Sequence, residues 1–272
     1  MICLKNHEFS PKATFECGQC FRWTADDKGY VGIAGGRACR IRDGRLECPE
    51  EDNAFWRSYF CLDMDYSAMK AFLLEQDPTL EPCLDYGQGL RILRQDLWET
   101  VISFILSANN NIPRIKKMIE GLCKKFGEPI AFEDKILYSF PSTQCIAGLK
   151  CSDLAALKLG YRDRYVMDAA VFMASHADSI AWQQLSAEEA RQTLMQIKGV
   201  GRKVADCILL FALGCYDVFP QDVWIRRIMG QVYQTPERST QEFAQQKYGY
   251  YRGFAQQYLF YYYRNHAGKI QG

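Results

Sequence analysis

The sequence predicts an α+β fold in which an antiparallel, β-rich domain over residues 1–90 precedes an all-helical domain over residues 91–272. Three observations lead there. Short alternating runs broken by glycine-bearing turns occupy residues 21–44, as hairpin-linked strands require. From Asp96 onward the apolar residues recur three and four apart, the period of helices. The charge divides in the same way: residues 1–90 hold 10 Lys/Arg and 15 Asp/Glu, net −5, whereas residues 91–272 hold 23 and 17, net +6.

In chain order, Phe21 to Thr24 forms a strand that stops at Ala25-Asp26-Asp27-Lys28-Gly29. Tyr30 to Ile33 stops at Gly35-Gly36, and Ala38 to Arg42 stops at Asp43-Gly44, a hairpin dipeptide because both turn positions want positive φ. A helix or two follows this meander. Asp96 with Glu99 resembles a capping box, and the helix it opens, to about Ala108, is apolar almost all round and belongs in the core. Asn109-Asn110-Asn111 followed by Pro113 reads as an N-cap with proline in the first turn. Ser186 with Glu189 opens a helix through Gln196, Arg202 to Leu213 forms another that ends at Gly214, and Asp222 caps a third from Val223 to Val232.

At 272 residues, 48% hydrophobic and 24% charged, the composition excludes wholesale disorder and collagen-like sequence. No apolar stretch approaches the length of a membrane span, and Met1 to Ser10 lacks the pattern of a signal peptide. An intracellular protein with its twelve cysteines reduced is expected, in the cytoplasm and nucleoid of a bacterium or the nucleus of a eukaryote. Cys17-Gly18-Gln19-Cys20 has redox spacing but lies on a predicted strand with no helix after it. His7, His176 and His266 fall in no zinc motif, and no cysteine follows Cys215 to ligate a C-terminal iron–sulfur cluster, so neither a metal nor a cofactor is expected.

The net charge of +1 taken whole speaks against a nucleic-acid binder, but it averages two unlike halves. Lys198, Arg202, Lys203, Arg226 and Arg227 gather in the basic half around Ile197-Lys198-Gly199-Val200-Gly201-Arg202-Lys203. Two helices joined by this glycine-flanked turn place unpaired backbone N–H groups at a helix start, where the dipole also favours an anion. A phosphate-gripping helix-hairpin-helix satisfies that pattern, and a Walker A loop does not, because the spacing to lysine differs and no Ser or Thr follows. Lys203 sits in the first turn, where the positive end of the dipole favours a neutral, nucleophilic amine. Asp222, nineteen residues on, reads as an N-cap whose carboxylate, if it faces a cleft, makes with Lys203 the pair that amine attack at a sugar C1′ needs.

Gly199-Val200-Gly201-Arg202-Lys203-Val204-Ala205-Asp206-Cys207 followed by Asp222 resembles the helix-hairpin-helix DNA glycosylases. Cys17-Gly18-Gln19-Cys20-Phe21-Arg22-Trp23, Leu93-Arg94-Gln95-Asp96, Asn109 to Arg114 and Leu159-Gly160-Tyr161-Arg162-Asp163-Arg164-Tyr165 are, in that order, similar to segments of the 8-oxoguanine DNA glycosylases with AP lyase activity, over residues 15–262. The resemblance implies a TBP-like N-terminal sheet, a monomer, and duplex DNA containing oxidised guanine as partner. It assigns Lys203 as nucleophile and Schiff-base former, and Asp222 as stabiliser of the positive sugar. It places Gly18, Cys207, Gln256 and Phe260 around the flipped-out base, with the Gly18 carbonyl accepting from the N7–H that only the oxidised base carries. Asn109, Arg114 and Arg162 would read the opposite base, Tyr161 would wedge the stack, and Gly199, Val200, Gly201, Lys198 and Trp224 would hold phosphates. Lys198 stands where family members often carry proline, and Trp224 where animal and fungal relatives often carry histidine.

Two other functions fit parts of the pattern. A monofunctional glycosylase for alkylated bases would use Asp222 and need no Lys203, and a non-enzymatic DNA-binding module would need neither.

Overall fold

A computed structural model describes residues 2–4, 8–176 and 179–270; His7 lies outside the described residues. Among them, β1 (Ile2–Cys3), β2 (Trp23–Asp26), β3 (Gly29–Ala34), β4 (Arg37–Arg42) and β5 (Arg45–Glu47) form one antiparallel sheet in the order β1-β5-β4-β3-β2. The Asp43-Gly44 turn between β4 and β5 takes φ of +51° and +69°, the left-handed pair expected of that dipeptide. One face of the sheet carries an aromatic core: Phe15 stacks on Trp23 at 4.0 Å between ring centres, and Trp56 and Phe60 pack behind them.

Among the described residues after 90, the regular elements are helices except for one hairpin, β6 (Pro129–Phe132) and β7 (Lys135–Tyr138), which corrects the expectation of an all-helical second part. Its turn, Glu133-Asp134, lacks glycine, and its strands are four residues long, so neither cue for a hairpin is present in the sequence. The hairpin docks onto the sheet through Arg40, whose side chain is fully buried. Its guanidinium donates to both Glu133 oxygens at 2.9–3.0 Å through Nε and to Asp26 at 2.7 Å, while Lys135 reaches Asp26 at 2.5 Å. Lys135 and, after it, Arg40 hold the Asp26 carboxyl well below the usual carboxylate range.

The helix Leu97–Ser107, opened by Asp96 accepting from Glu99 N–H at 2.8 Å, is buried along nearly its whole length, as its apolar circumference predicts. It packs against Ile112–Phe126, Arg162–His176 and Arg202–Phe211, and Phe104 stacks on Phe211 at 5.5 Å. Each such side chain removed from water contributes roughly 1.5–3 kcal/mol. The helices Tyr66–Gln76 and Glu81–Tyr86 share this larger core although they precede residue 90.

The last long helix, Arg252–Asn265, returns to the loop ahead of β2 and so joins the two ends of the chain. Gln257 donates to the Cys17 carbonyl at 2.8 Å, and Arg264 donates to the Glu16 carbonyl. Gln19, wholly buried, fixes the same loop from the other side, donating to Thr14 and Arg91 carbonyls at 2.9 and 2.7 Å and accepting from Leu93 N–H at 2.9 Å. These bonds set Gly18 opposite the C-terminal helix.

Candidate active site

The helices Ala187–Leu194 and Arg202–Phe211 meet at a turn containing Lys198-Gly199-Val200-Gly201. The first helix opens with the expected box, Ser186 and Glu189 bonding each other's backbone N–H at 3.3 and 2.8 Å. Val200 N–H donates to the Ile197 carbonyl at 3.0 Å, and both side chains are buried, which pins the turn to the core. Gly199 has φ of +89°, and a Cβ there would fall 2.7 Å from the Tyr165 ring, so both conformation and space demand glycine. Gly201 is the N-cap of the second helix and offers no side-chain acceptor, leaving the first-turn N–H groups of Arg202, Lys203 and Val204 without intrahelical partners. Beneath the turn, Arg191 donates to Asp206 at 2.6 Å with both side chains buried, a brace between the two helices that the sequence did not reveal.

Lys203 is the second residue of its helix and places Nζ 5.3 Å from the centre of the Phe104 ring. Asp222 caps Val223–Gln231, accepting from Ile225 N–H at 2.8 Å. The two side chains line one cavity of about 40 Å³ together with Gly18, Cys207, Gln256 and Phe260, so residues drawn from both ends of the chain and from the hairpin converge. Burial raises the Asp222 carboxyl above its usual range, opposed by the Ile225 N–H and by the charge of Lys203. Burial also pushes the Cys207 thiol up to about 11, against the pull of Lys203.

Gln256 is 5% exposed, and its Oε1 is buried without a hydrogen-bond partner among the described residues. A buried amide oxygen left unpaired is unfavourable unless a ligand satisfies it. Phe260 packs its ring against Gly18, whose φ is +80°. Sequence reasoning assigned no site role to Cys17, Phe104, Phe211, Pro220 and Gln257, which also line the cavity; Phe104 and Phe211 sit at ordinary core spacing in their helices.

The remaining residues of interest lie outside this cavity. Asn109, at φ +48°, is exposed in the turn that leads into Ile112–Phe126, and Arg114 is exposed in the first turn of that helix. Tyr161 projects with 53% of its surface exposed. Arg162 departs from the expectation of a free recognition fork: it is 4% exposed, and its guanidinium donates to the Ala108 and Asn109 carbonyls, each at 3.1 Å, and to that of Leu159 at 3.4 Å. It also lies 4.5 Å from the Tyr161 ring, so here it braces the Asn109 turn and the exposed tyrosine. Lys198 is exposed and pairs with Asp168 at 3.4 Å. Trp224, half-buried in the first turn after Asp222, has the Arg227 guanidinium 5.8 Å from its ring.

Comparison with known proteins gives a consistent picture. Residues 1–101 match the family model of the 8-oxoguanine DNA glycosylase N-terminal domain, and residues 102–250 match that of the HhH-GPD superfamily base excision DNA repair proteins. A probable N-glycosylase/DNA lyase of Methanothermobacter thermautotrophicus is 32% identical over 231 residues, which cover 76% of this chain and 73% of that one. MBOgg1 in complex with a low affinity DNA ligand superimposes with a TM-score of 0.90 at 42% identity, covering 96% of this chain and 94% of the other. Clostridium acetobutylicum 8-oxoguanine glycosylase/lyase, bound to double-stranded DNA containing cytosine opposite 8-oxoG, gives 0.88 at 36% identity, covering 96% and 93%.

Proposed function

Because the chain belongs to the 8-oxoguanine DNA glycosylases of the HhH-GPD superfamily, we infer that its cavity receives a flipped-out 8-oxoguanine and that Lys203 and Asp222 carry out the chemistry there. The protein is a base-excision repair DNA glycosylase with AP lyase activity. Convergence of an amine, a carboxylate, the Phe260 ring and the unpaired Gln256 amide oxygen on one cavity is the observation that carries the residue assignment.

Lys203 Nζ attacks C1′ as the bond from C1′ to the base nitrogen breaks. The base leaves with the bonding electrons and takes up a proton, and the amine loses one. Asp222 stabilises the positive charge that develops on the sugar as that bond weakens. Ring opening gives a Schiff base; loss of a C2′ proton then expels the 3′ phosphate by β-elimination and nicks the strand. Gln256 pairs with the Watson–Crick edge, Phe260 stacks on the base, and the Gly18 carbonyl accepts from N7–H. Asn109, Arg114 and Tyr161 fill the gap and read the partner base, and Arg162 joins them if the Asn109 turn moves. Gly199, Val200 and Gly201 grip a phosphate, with Lys198 and Trp224 beside it, and the protein acts as a monomer. No helix among the described residues is long and apolar enough to cross a membrane.

Borohydride added to the protein with duplex containing 8-oxoguanine opposite cytosine traps a covalent adduct on this reading. An adduct formed only with other lesions overturns the substrate, and no adduct on any damaged base overturns the lyase. A monofunctional glycosylase for alkylated bases gives no adduct, and the position of Lys203 in the cavity weighs against it.

The hairpin assignment has its own test. Gly199→Ala drives a methyl into the Tyr165 ring at a left-handed φ, so the turn must shift. Affinity for undamaged duplex falls about ten-fold in fluorescence anisotropy, the equivalent of roughly 1.4 kcal/mol. Unchanged affinity would mean the turn does not hold phosphate.

A further inference from the structure

Gly18 and Phe260 form facing walls of the cavity that Lys203 and Asp222 also line. The two walls touch: a Cβ at Gly18 would fall 3.2 Å from Phe260 Cε1 and 3.3 Å from Arg264 Nη1. Arg264 lies one turn beyond Phe260 on the same helix face, with its guanidinium carbon 5.2 Å from the ring centre. Through Nη2 it donates to the Glu16 carbonyl, and its Nη1 is buried without a hydrogen-bond partner among the described residues.

We propose that Arg264 is a positioning residue for damaged-base selection: it ties the Phe260 ring to the Glu16-to-Gly18 segment and so sets the width of the slot between them. The inference rests on the assignment of this cavity to 8-oxoguanine. One guanidinium touches both walls, by a charge-assisted bond to the backbone that carries the Gly18 carbonyl and by a cation–π approach to the ring that stacks on the base. Without that tie the ring and the carbonyl lose their fixed separation, and the test for N7–H loosens.

The reaction separates this role from a structural one. Nicking at a preformed abasic site uses Lys203 but puts no base in the slot. Arg264→Met is expected to slow single-turnover excision of 8-oxoguanine opposite cytosine about ten-fold, the effect of one interaction of this strength. Nicking of abasic duplex stays within about two-fold of wild type, and Arg264→Lys, which restores the cation, recovers most of the excision rate. Arg264→Gln serves in place of Arg264→Met if the methionine variant does not fold. Excision at the wild-type rate in Arg264→Met overturns the proposal, as does an equal loss on both substrates that Arg264→Lys does not recover. If wild type itself nicks abasic sites but does not excise 8-oxoguanine, the fault lies with the assignment of the base, and the proposal falls with it.

Discussion

Lys203→Gln will form no borohydride-stable adduct on duplex containing 8-oxoguanine, and both excision and strand nicking will fall by roughly four orders of magnitude or more. The size follows from the chemistry. Glutamine matches lysine in reach and polarity, but its amide nitrogen is neither basic nor able to form an imine, so the covalent route is closed rather than weakened. Structure gives little reason to expect collateral damage. Among the described residues, the ion pairs of the hairpin run from Arg191 to Asp206 and Glu188 and from Lys198 to Asp168, and none of these includes Lys203. The substitution removes the ammonium from above the Phe104 ring, an attraction worth about 0.5–1 kcal/mol at a partly exposed site. Thermal unfolding will therefore stay close to wild type, and so will affinity for undamaged duplex, which depends on the backbone N–H groups of the turn. Trapping that persists in Lys203→Gln would place the Schiff base on another amine and dissolve the pairing of Lys203 with Asp222.

What was legible in the sequence was local. Asp43-Gly44 declared its hairpin because the turn chemistry lies within two residues, and Asp96, Ser186 and Asp222 declared their helices by capping bonds that span three. Lys203 and Asp222 could be paired because the hairpin fixes where each sits. Contacts across the chain were not legible. Nothing near Arg40 announces that Glu133, 93 residues away, will neutralise it, and the hairpin bearing Glu133 is held by that contact rather than by its own turn. Arg162 had the look of a solvated charge or a recognition fork, yet it is buried against carbonyls 53 and 54 residues distant. Arg264 carries no motif at all; only the return of the last helix to Glu16 gives it a role. The family resemblance supplied the convergence of Gly18, Cys207, Gln256 and Phe260; periodicity alone would have left Phe260 and Cys207 in the core.

Asp222→Asn sets function against stability at one residue, and the two are expected to move in opposite directions. Asparagine caps helices about as well as aspartate, so the bond to Ile225 N–H is kept. Burial raises the Asp222 carboxyl above its value in the unfolded chain, which means the folded state favours the neutral form. For a carboxyl raised on folding, the stability it contributes is complete below the unfolded pKa and is lost as pH rises through the folded one. Asparagine is neutral at every pH, so the variant loses nothing as pH rises through the folded Asp222 pKa and above it should unfold at the same temperature as wild type or higher. Catalysis needs the opposite form, since only the carboxylate stabilises a cationic sugar, and excision will slow roughly a hundred- to a thousand-fold. The wild-type rate will show an acid limb above the ordinary aspartate range of about 4, displaced upward by burial, and Asp222→Asn will lack that limb. Duplex affinity will hold near normal in the variant. A matching loss of affinity and melting temperature would reduce Asp222 to a cap, whereas a slower enzyme that melts no lower than wild type would show that the folded state tolerates a buried charge for the sake of the reaction.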